Sequence, residues 1–103
     1  GRAALNVNGD EAAAAVAVAL GADELLFVSD VPAVSLDGRE AGRIALDDIG
    51  AVLSRPDVSG GMVAKLEAAR AAVLGGVGRV RIGDLALLGG EGGTVIERHR
   101  SAA

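Results

Sequence analysis

The chain alternates apolar runs with short polar stations, and the spacing of the runs predicts its elements. An extended-looking segment, AALN, has its last apolar residue at Leu5 and is followed by NVNGDEAAAAVAVAL and Gly21. Asn8 is placed to cap a helix, with Glu11 three residues on completing an asparagine version of the capping box. Asp10 and Glu11 then fall in the first turn, where the helix dipole favours negative charge, and Gly21 is a natural left-handed stop. Residues 12 to 20 offer no polar face, which predicts a helix buried between layers or against a neighbouring subunit.

ELLFVSD, residues 24 to 30, is a continuous apolar run of strand length. Runs of this kind belong to parallel sheets covered on both faces, and strand, helix, strand at this spacing predicts an α/β fold. Residues 31 to 44 hold Pro32 and the turn pair Asp37 and Gly38, and read as a surface hairpin or loop. A short amphipathic helix is predicted over 46 to 54, with Pro56 marking its end. A second long helix spans 62 to 74, with Met62, Leu66, Ala69 and Val73 on one face and Gly75 and Gly76 closing it. A strand in VGRVRI, a loop in GGEGG and a short strand TVIE complete the domain to residue 97, and residues 98 to 103 form a frayed tail.

Composition narrows the functional classes. At 103 residues the chain is one domain. Half its residues are hydrophobic, nearly all Ala, Val, Leu and Ile, and Phe27 is the only aromatic. Such side chains suit close packing of helices on a sheet rather than stacking on single-stranded nucleic acid. A net charge of -4 also argues against a nucleic-acid surface. Absence of cysteine excludes a disulfide framework and a thiolate zinc site, and makes the cytoplasm a natural home. No run is long and unbroken enough for a membrane span. Neither a Ser/His/Asp set nor a His and carboxylate cluster for a structural metal is present, so no metal ligand is assigned.

Three polar stations remain, each at a junction where α/β sheets usually bind ligands. The first is Asn6, Asn8 and Asp10. Capping explains Asn8 and Asp10, while Asn6 precedes the cap and can read a ligand or make an ordinary turn contact. The second is Ser29 and Asp30, at the carboxyl end of the apolar strand. The third is Ser59, Gly60 and Gly61 with Lys65. Lys65 opposes the dipole near its helix start, and Gly61 and Ala69, four residues to either side, give it no acid. A local rule broken without local gain suggests a site, and bare glycine amides can approach an anion; a surface lysine is the plainer alternative.

Taken in order, NVN-x-D, SDVP-x-V and SGGM-x-x-K resemble the carboxyl-terminal half of the acetylglutamate kinases, in the amino acid kinase family. The likeness runs from about Leu5 to the GGT at 92 to 94. Glutamate 5-kinases and the aminoadipate kinases of lysine biosynthesis are the neighbouring alternatives. A noncatalytic nucleotide-binding or assembly module is the alternative of another class. The resemblance implies a three-layer αβα sandwich with a mostly parallel sheet. The implied reaction is phosphoryl transfer from ATP, with Mg2+, to the side-chain carboxylate of N-acetyl-L-glutamate. It assigns Asn6 to the acylated amino acid, Asp10 to orienting catalytic lysines, and Lys65 to stabilising charge on the phosphates. Ser29, Asp30, Val31, Pro32, Ala33 and Val34 match one nucleotide-binding loop, and Ser59, Gly60, Gly61 and Met62 a second. Ala33 stands where the family usually has glycine, and Gly9 where it has alanine. The family's amino-terminal half, with a second lysine and a glycine-rich loop, has no counterpart in this sequence. The expectation is a nucleotide-binding part that is inactive alone, completed by that missing half in a homo-oligomeric, arginine-pathway enzyme.

Overall fold

In the computed structural model, residues 3 to 6 are described in backbone only and residues 9 to 98 in full. The chain opens on a strand–helix–strand unit of β1 (Ala3–Asn6), α1 (Asp10–Leu20) and β2 (Glu24–Val28). A hairpin of β3 (Ser35–Leu36) and β4 (Arg39–Glu40) follows, then β5 (Arg43–Ala45) and a 3-10 turn over Leu46–Asp48 that runs into α2 (Ile49–Leu53). α3 (Gly61–Leu74), β6 (Arg79–Gly83), a 3-10 helix over Leu85–Gly89 and β7 (Thr94–Glu97) complete the described chain. The main sheet has the order β1-β2-β6-β7-β5. β1, β2 and β6 run parallel, β7 is antiparallel to β6, and β5 is parallel to β7. The predicted α/β fold with a mostly parallel sheet is the observed one.

Register explains where the core lies. Leu25 stands beside Val80 and Phe27 beside Ile82, and Ile96 lies opposite Val80, so these side chains share a face. All five are fully buried, under Ala14 and Ala17 of α1 and Leu66, Ala69, Ala72 and Val73 of α3. The other face carries Glu24, Leu26 and Val28, which are half-buried. Glu24 there accepts hydrogen bonds from Arg79 Nε at 2.7 Å and Arg81 Nε at 3.2 Å. The continuous apolar run of β2 is therefore fully covered on only one face, a correction to the expectation of cover on both. Of the three layers, the described residues supply one helical layer and the sheet. Against the second face stands the 3-10 helix over Leu85–Gly89, whose Leu87 lies so near Gly83 that a Cβ on the glycine would be 3.0 Å from Leu87 Cδ2.

α1 differs from expectation in two ways. Its N-cap is Gly9, at φ 76°, without a side-chain cap, and the Ala13 N–H donates to the Gly9 carbonyl at 2.9 Å. The predicted cap, Asn8, lies outside the described residues. The helix is not wholly buried either: only Ala14 and Ala17 are, while Val16 and Leu20 are each 53% exposed. The reason is geometric, since a helix on the outside of a layer can turn only one stripe inward. Its stop is as predicted, with Gly21 left-handed at φ 65°.

The predicted apolar face of α3 also holds: Leu66, Ala69 and Val73 are buried, and Met62 packs against them. Arg98, first residue of the predicted tail, donates from Nη2 to the Val73 carbonyl at 2.9 Å, where a cation suits the helix end. The rest of that tail, with His99, lies outside the described residues. Among the described residues, no helix is long and apolar enough to cross a membrane.

Candidate functional site

The three polar stations gather at one edge of the sheet. β1, β2 and β6 all end there, and β7, running the other way, begins there. The chain leaves β2 at Ser29, whose N–H donates to the Gly83 carbonyl at 2.7 Å, tying the turn to the neighbouring strand end. Ser29 Oγ also accepts the Val31 N–H at 3.2 Å, a local contact that curls residues 29 to 31. Asp30 is exposed at the turn.

Across this edge, the start of α1 meets the start of α3. Lys65 Nζ donates to Asp10 Oδ1 at 3.3 Å and to Oδ2 at 3.4 Å, and the side chains are only 18% and 16% exposed. The lysine that lacks an acid at helical spacing on its own helix thus has one from 55 residues away. Asp10 lies in the first turn of α1 and Lys65 near the start of α3, so the pair joins two helix starts. A largely covered pair of this kind is weak evidence for stability by itself, because desolvation offsets its attraction. Its chemical potential is an ammonium fixed in place at a ligand-binding edge.

One helical turn before Lys65, at Met62, α3 borders a cleft of about 370 Å³, within the range of small-molecule sites. One wall is the loop after β2, through Val31, Pro32 and Ala33, continuing into the hairpin at Ser35, Gly38 and Glu40. The other wall precedes and opens α3, through Asp57, Val58, Ser59 and Met62. Gly60 and Gly61 flank it with open space where side chains would stand, and Gly60 sits at φ 59°, a conformation that suits glycine. The structure therefore places Val31, Pro32 and Ala33, which follow the second station, and Ser59 of the third on the walls of one cleft, with Lys65 three positions beyond Met62.

Four candidates fall elsewhere, and two of them, Ser29 and Asp30, stay at the end of β2 outside the cleft's lining. Val34 is fully buried, and its N–H donates to Thr94 Oγ1 at 2.9 Å, so it anchors the loop rather than lining the cleft. Asn6 pairs with Phe27 in the sheet, placing its backbone at the same edge, but its side chain lies outside the described residues.

Thr94, the one buried polar side chain in the described core, was not a candidate from sequence. Nothing local marks it; only its position at the start of a strand beside a functional loop could have. A second group missed is Arg55, Asp57 and Asp37. Arg55 Nε donates to Asp57 Oδ1 at 2.9 Å and its Nη2 lies 2.6 Å from Asp37 Oδ1. The Asp57 carboxyl is held down to about 2, by the Arg55 hydrogen bond first and the Asp37 N–H second. The opposite charges flanking Pro56 were the available signal. Among the described residues, no three His, Cys, Asp or Glu side chains are grouped to hold a metal ion.

The model of the amino acid kinase family matches residues 1–84. The acetylglutamate kinase of Acidobacterium capsulatum is 49% identical over 78 residues, 75% of this chain and 30% of that protein. The acetylglutamate kinase of Roseiflexus castenholzii is 45% identical over 80 residues, covering 78% and 31%. Carbamate kinase from Giardia lamblia bound to citric acid superposes with a TM-score of 0.77 at 26% identity, over 89% of this chain and 31% of that one. A Streptococcus mutans structure gives 0.81 at 36% identity, covering 91% and 37%. The chain spans about a third of the length of the curated relatives it matches. The family model spans most of the chain, from before Asp10 to beyond Lys65, and the chain belongs to the amino acid kinase family.

Proposed function

We propose that this chain is the nucleotide-binding part of an acetylglutamate kinase, which transfers the γ-phosphoryl group of ATP to the side-chain carboxylate of N-acetyl-L-glutamate. The observation that carries the reading is the Lys65–Asp10 pair, with Lys65 one helical turn beyond Met62 of the cleft. The curated relatives named acetylglutamate kinase support the choice of substrate.

The residues present suit a nucleotide. Val31, Pro32, Val58 and Met62 offer an apolar lining for a base, while Ser59 and the bare backbone at Gly60 and Gly61 open α3, where helix amides favour phosphate. ATP supplies the phosphoryl group, and Mg2+, carried on the phosphate oxygens, supplies neutralising charge. The acceptor carboxylate oxygen bonds to the γ-phosphorus as the bridging P–O bond breaks toward ADP, so no proton needs to move. What the protein must provide is alignment and charge stabilisation. Lys65 answers the charge developing on the phosphates. Asp10 holds that ammonium where it works, and Asn6 meets the acylated amino acid.

On this reading the rest of the active site, including a second lysine and a glycine-rich loop, comes from an amino-terminal half. The complete protein is a homo-oligomer of the cytoplasm in arginine biosynthesis.

The experiment is an assay of acetylglutamate-dependent ATP consumption by a complete enzyme containing this chain. Lys65→Ala is expected to lower kcat by about 10²- to 10³-fold, the scale of losing one electrostatic contact to the transition state, with the far-ultraviolet circular dichroism unchanged. A variant turning over at the wild-type rate rejects the role of Lys65. ATP binding without turnover in the complete protein supports a noncatalytic module instead.

A further inference from the structure

The β3–β4 hairpin, one wall of the cleft, is fastened twice. At its base Thr94 Oγ1 accepts the Val34 N–H and donates to the Ala41 carbonyl at 2.6 Å, and the Ala41 N–H closes on the Val34 carbonyl at 2.8 Å. These bonds are extensions of the core. At its tip the hairpin is tied across the cleft to the link between α2 and α3. Asp57 Oδ2 accepts the Asp37 N–H at 2.8 Å. Arg55 spans both carboxylates, gripping Asp57 with Nε at 2.9 Å and Nη2 at 3.0 Å and reaching Asp37 at 2.6 Å.

The tip fastening is not explained by packing. Arg55 and Asp57 are 31% and 36% exposed, and Asp37 83%. Asp37 is also the one non-glycine residue at positive φ among those described, at 54°, so the turn is held in a conformation that aspartate tolerates and most residues avoid. On the other side of the cleft, Pro56 fixes its own φ and the Val58 N–H donates to the Arg55 carbonyl at 3.2 Å, closing the turn that presents both charged groups. A two-bond grip between a guanidinium and a carboxylate is directional, so it fixes a separation where a mere apolar contact would let the hairpin slide.

The geometry points to Arg55 and Asp57 as positioning residues for nucleotide binding, a latch that holds the hairpin at a set distance from the start of α3 and so sets the width of the cleft. This rests on the reading of the cleft as the nucleotide site. Neither residue needs to touch the ligand. With the latch closed, the hairpin is ordered on folding, and its ordering entropy is not charged against binding. Without it, the nucleotide must order the wall itself.

The test titrates the non-hydrolysable ATP analogue AMP-PNP, with magnesium, into a complete enzyme containing this chain by calorimetry and follows amide hydrogen exchange. Asp57→Ala is expected to raise the Kd about tenfold and to speed exchange at Asp37, while the sheet amide of Ile82 keeps its protection. Asp57→Asn, which retains an acceptor for the Asp37 N–H and loses the charge, is expected to fall between wild type and Asp57→Ala. A merely structural role moves the melting temperature and leaves the Kd in place. Wild-type affinity in Asp57→Ala with a loosened hairpin therefore overturns the latch and spares the nucleotide reading. Failure of the wild type itself to bind overturns that reading, and the latch with it. If Asp57→Ala does not fold, Arg55→Lys keeps the charge and removes the fork, and the same comparison of Kd values decides.

Discussion

At the scale of single residues, the sequence located groups better than partners. Lys65 stood out because it opposed its helix dipole without an acid at helical spacing, and the structure answers with Asp10 from another helix. Sequence distance hid the pairing, although the two residues had been singled out separately. Asp57 was legible only as one of two opposite charges flanking Pro56, since an exposed carboxylate after a proline looks like any turn until the hairpin folds over it. Its electrostatics are open to direct test. The Arg55 bond, followed by the Asp37 N–H, lowers the Asp57 carboxyl from an ordinary 3.8 to about 2. The depressed value means that its stabilising contribution is complete once the pH exceeds the ordinary value, and is lost as pH falls through about 2. Carbon-13 carboxyl shifts are expected to give that midpoint in the wild type, and Arg55→Ala to move it up toward 3.8. An unmoved midpoint in the variant would assign the shift to the backbone bond instead.

At the scale of elements, legibility followed individual spacings. The buried face of α3 was readable from Met62, Leu66, Ala69 and Val73 at helical spacing, and β2 was readable from its continuous apolar run. α1 was readable as a helix but not in its placement, because alanine and valine on all sides give no cue to which stripe faces inward. The 3-10 helix over Leu85–Gly89 was missed for the opposite reason: five residues are too few for a period to show. What the small residues of α1 and α3 achieve is close approach. They border an apolar groove of about 590 Å³, and at its end a Cβ placed on Gly75 would lie 2.6 Å and 3.1 Å from the two Val18 methyl groups. Gly75 has φ -82°, which alanine can adopt, so the obstacle is steric and not conformational. Valine is stiff at χ1 and cannot swing clear cheaply. Gly75→Ala is expected to destabilise by about 1–3 kcal/mol in urea unfolding, and Val18→Ala in the same chain to recover most of the loss. Additive effects in the double variant would show that the helices do not meet there.

At the scale of the molecule, the core is one-sided. A radius of gyration of 12.3 Å matches a compact domain of about 100 residues, so a chain one-third the length of its relatives still closes a core of its own. That core lies between the sheet and α1 with α3, while the opposite face carries Leu26, Val28 and the Glu24–Arg79–Arg81 network under partial cover. Two adjacent leucines on one strand should therefore report very different energies. Leu25 is fully buried beside Val80, and truncating it removes transfer energy and leaves a cavity. Leu26 faces the other way and is half-buried, so its truncation opens a site that water already reaches. Leu25→Ala is expected to cost about 2–5 kcal/mol and Leu26→Ala about 1 kcal/mol or less, both read from urea midpoints at constant slope. Equal costs would mean that the second face is as well packed as the first in solution. If the two faces differ as the register requires, repeating the Leu26→Ala measurement in a chain extended to the length of its relatives tells whether that added length covers the second face. A rise of its cost toward that of Leu25→Ala would place the added chain there, and an unchanged cost would leave that face exposed in the extended chain.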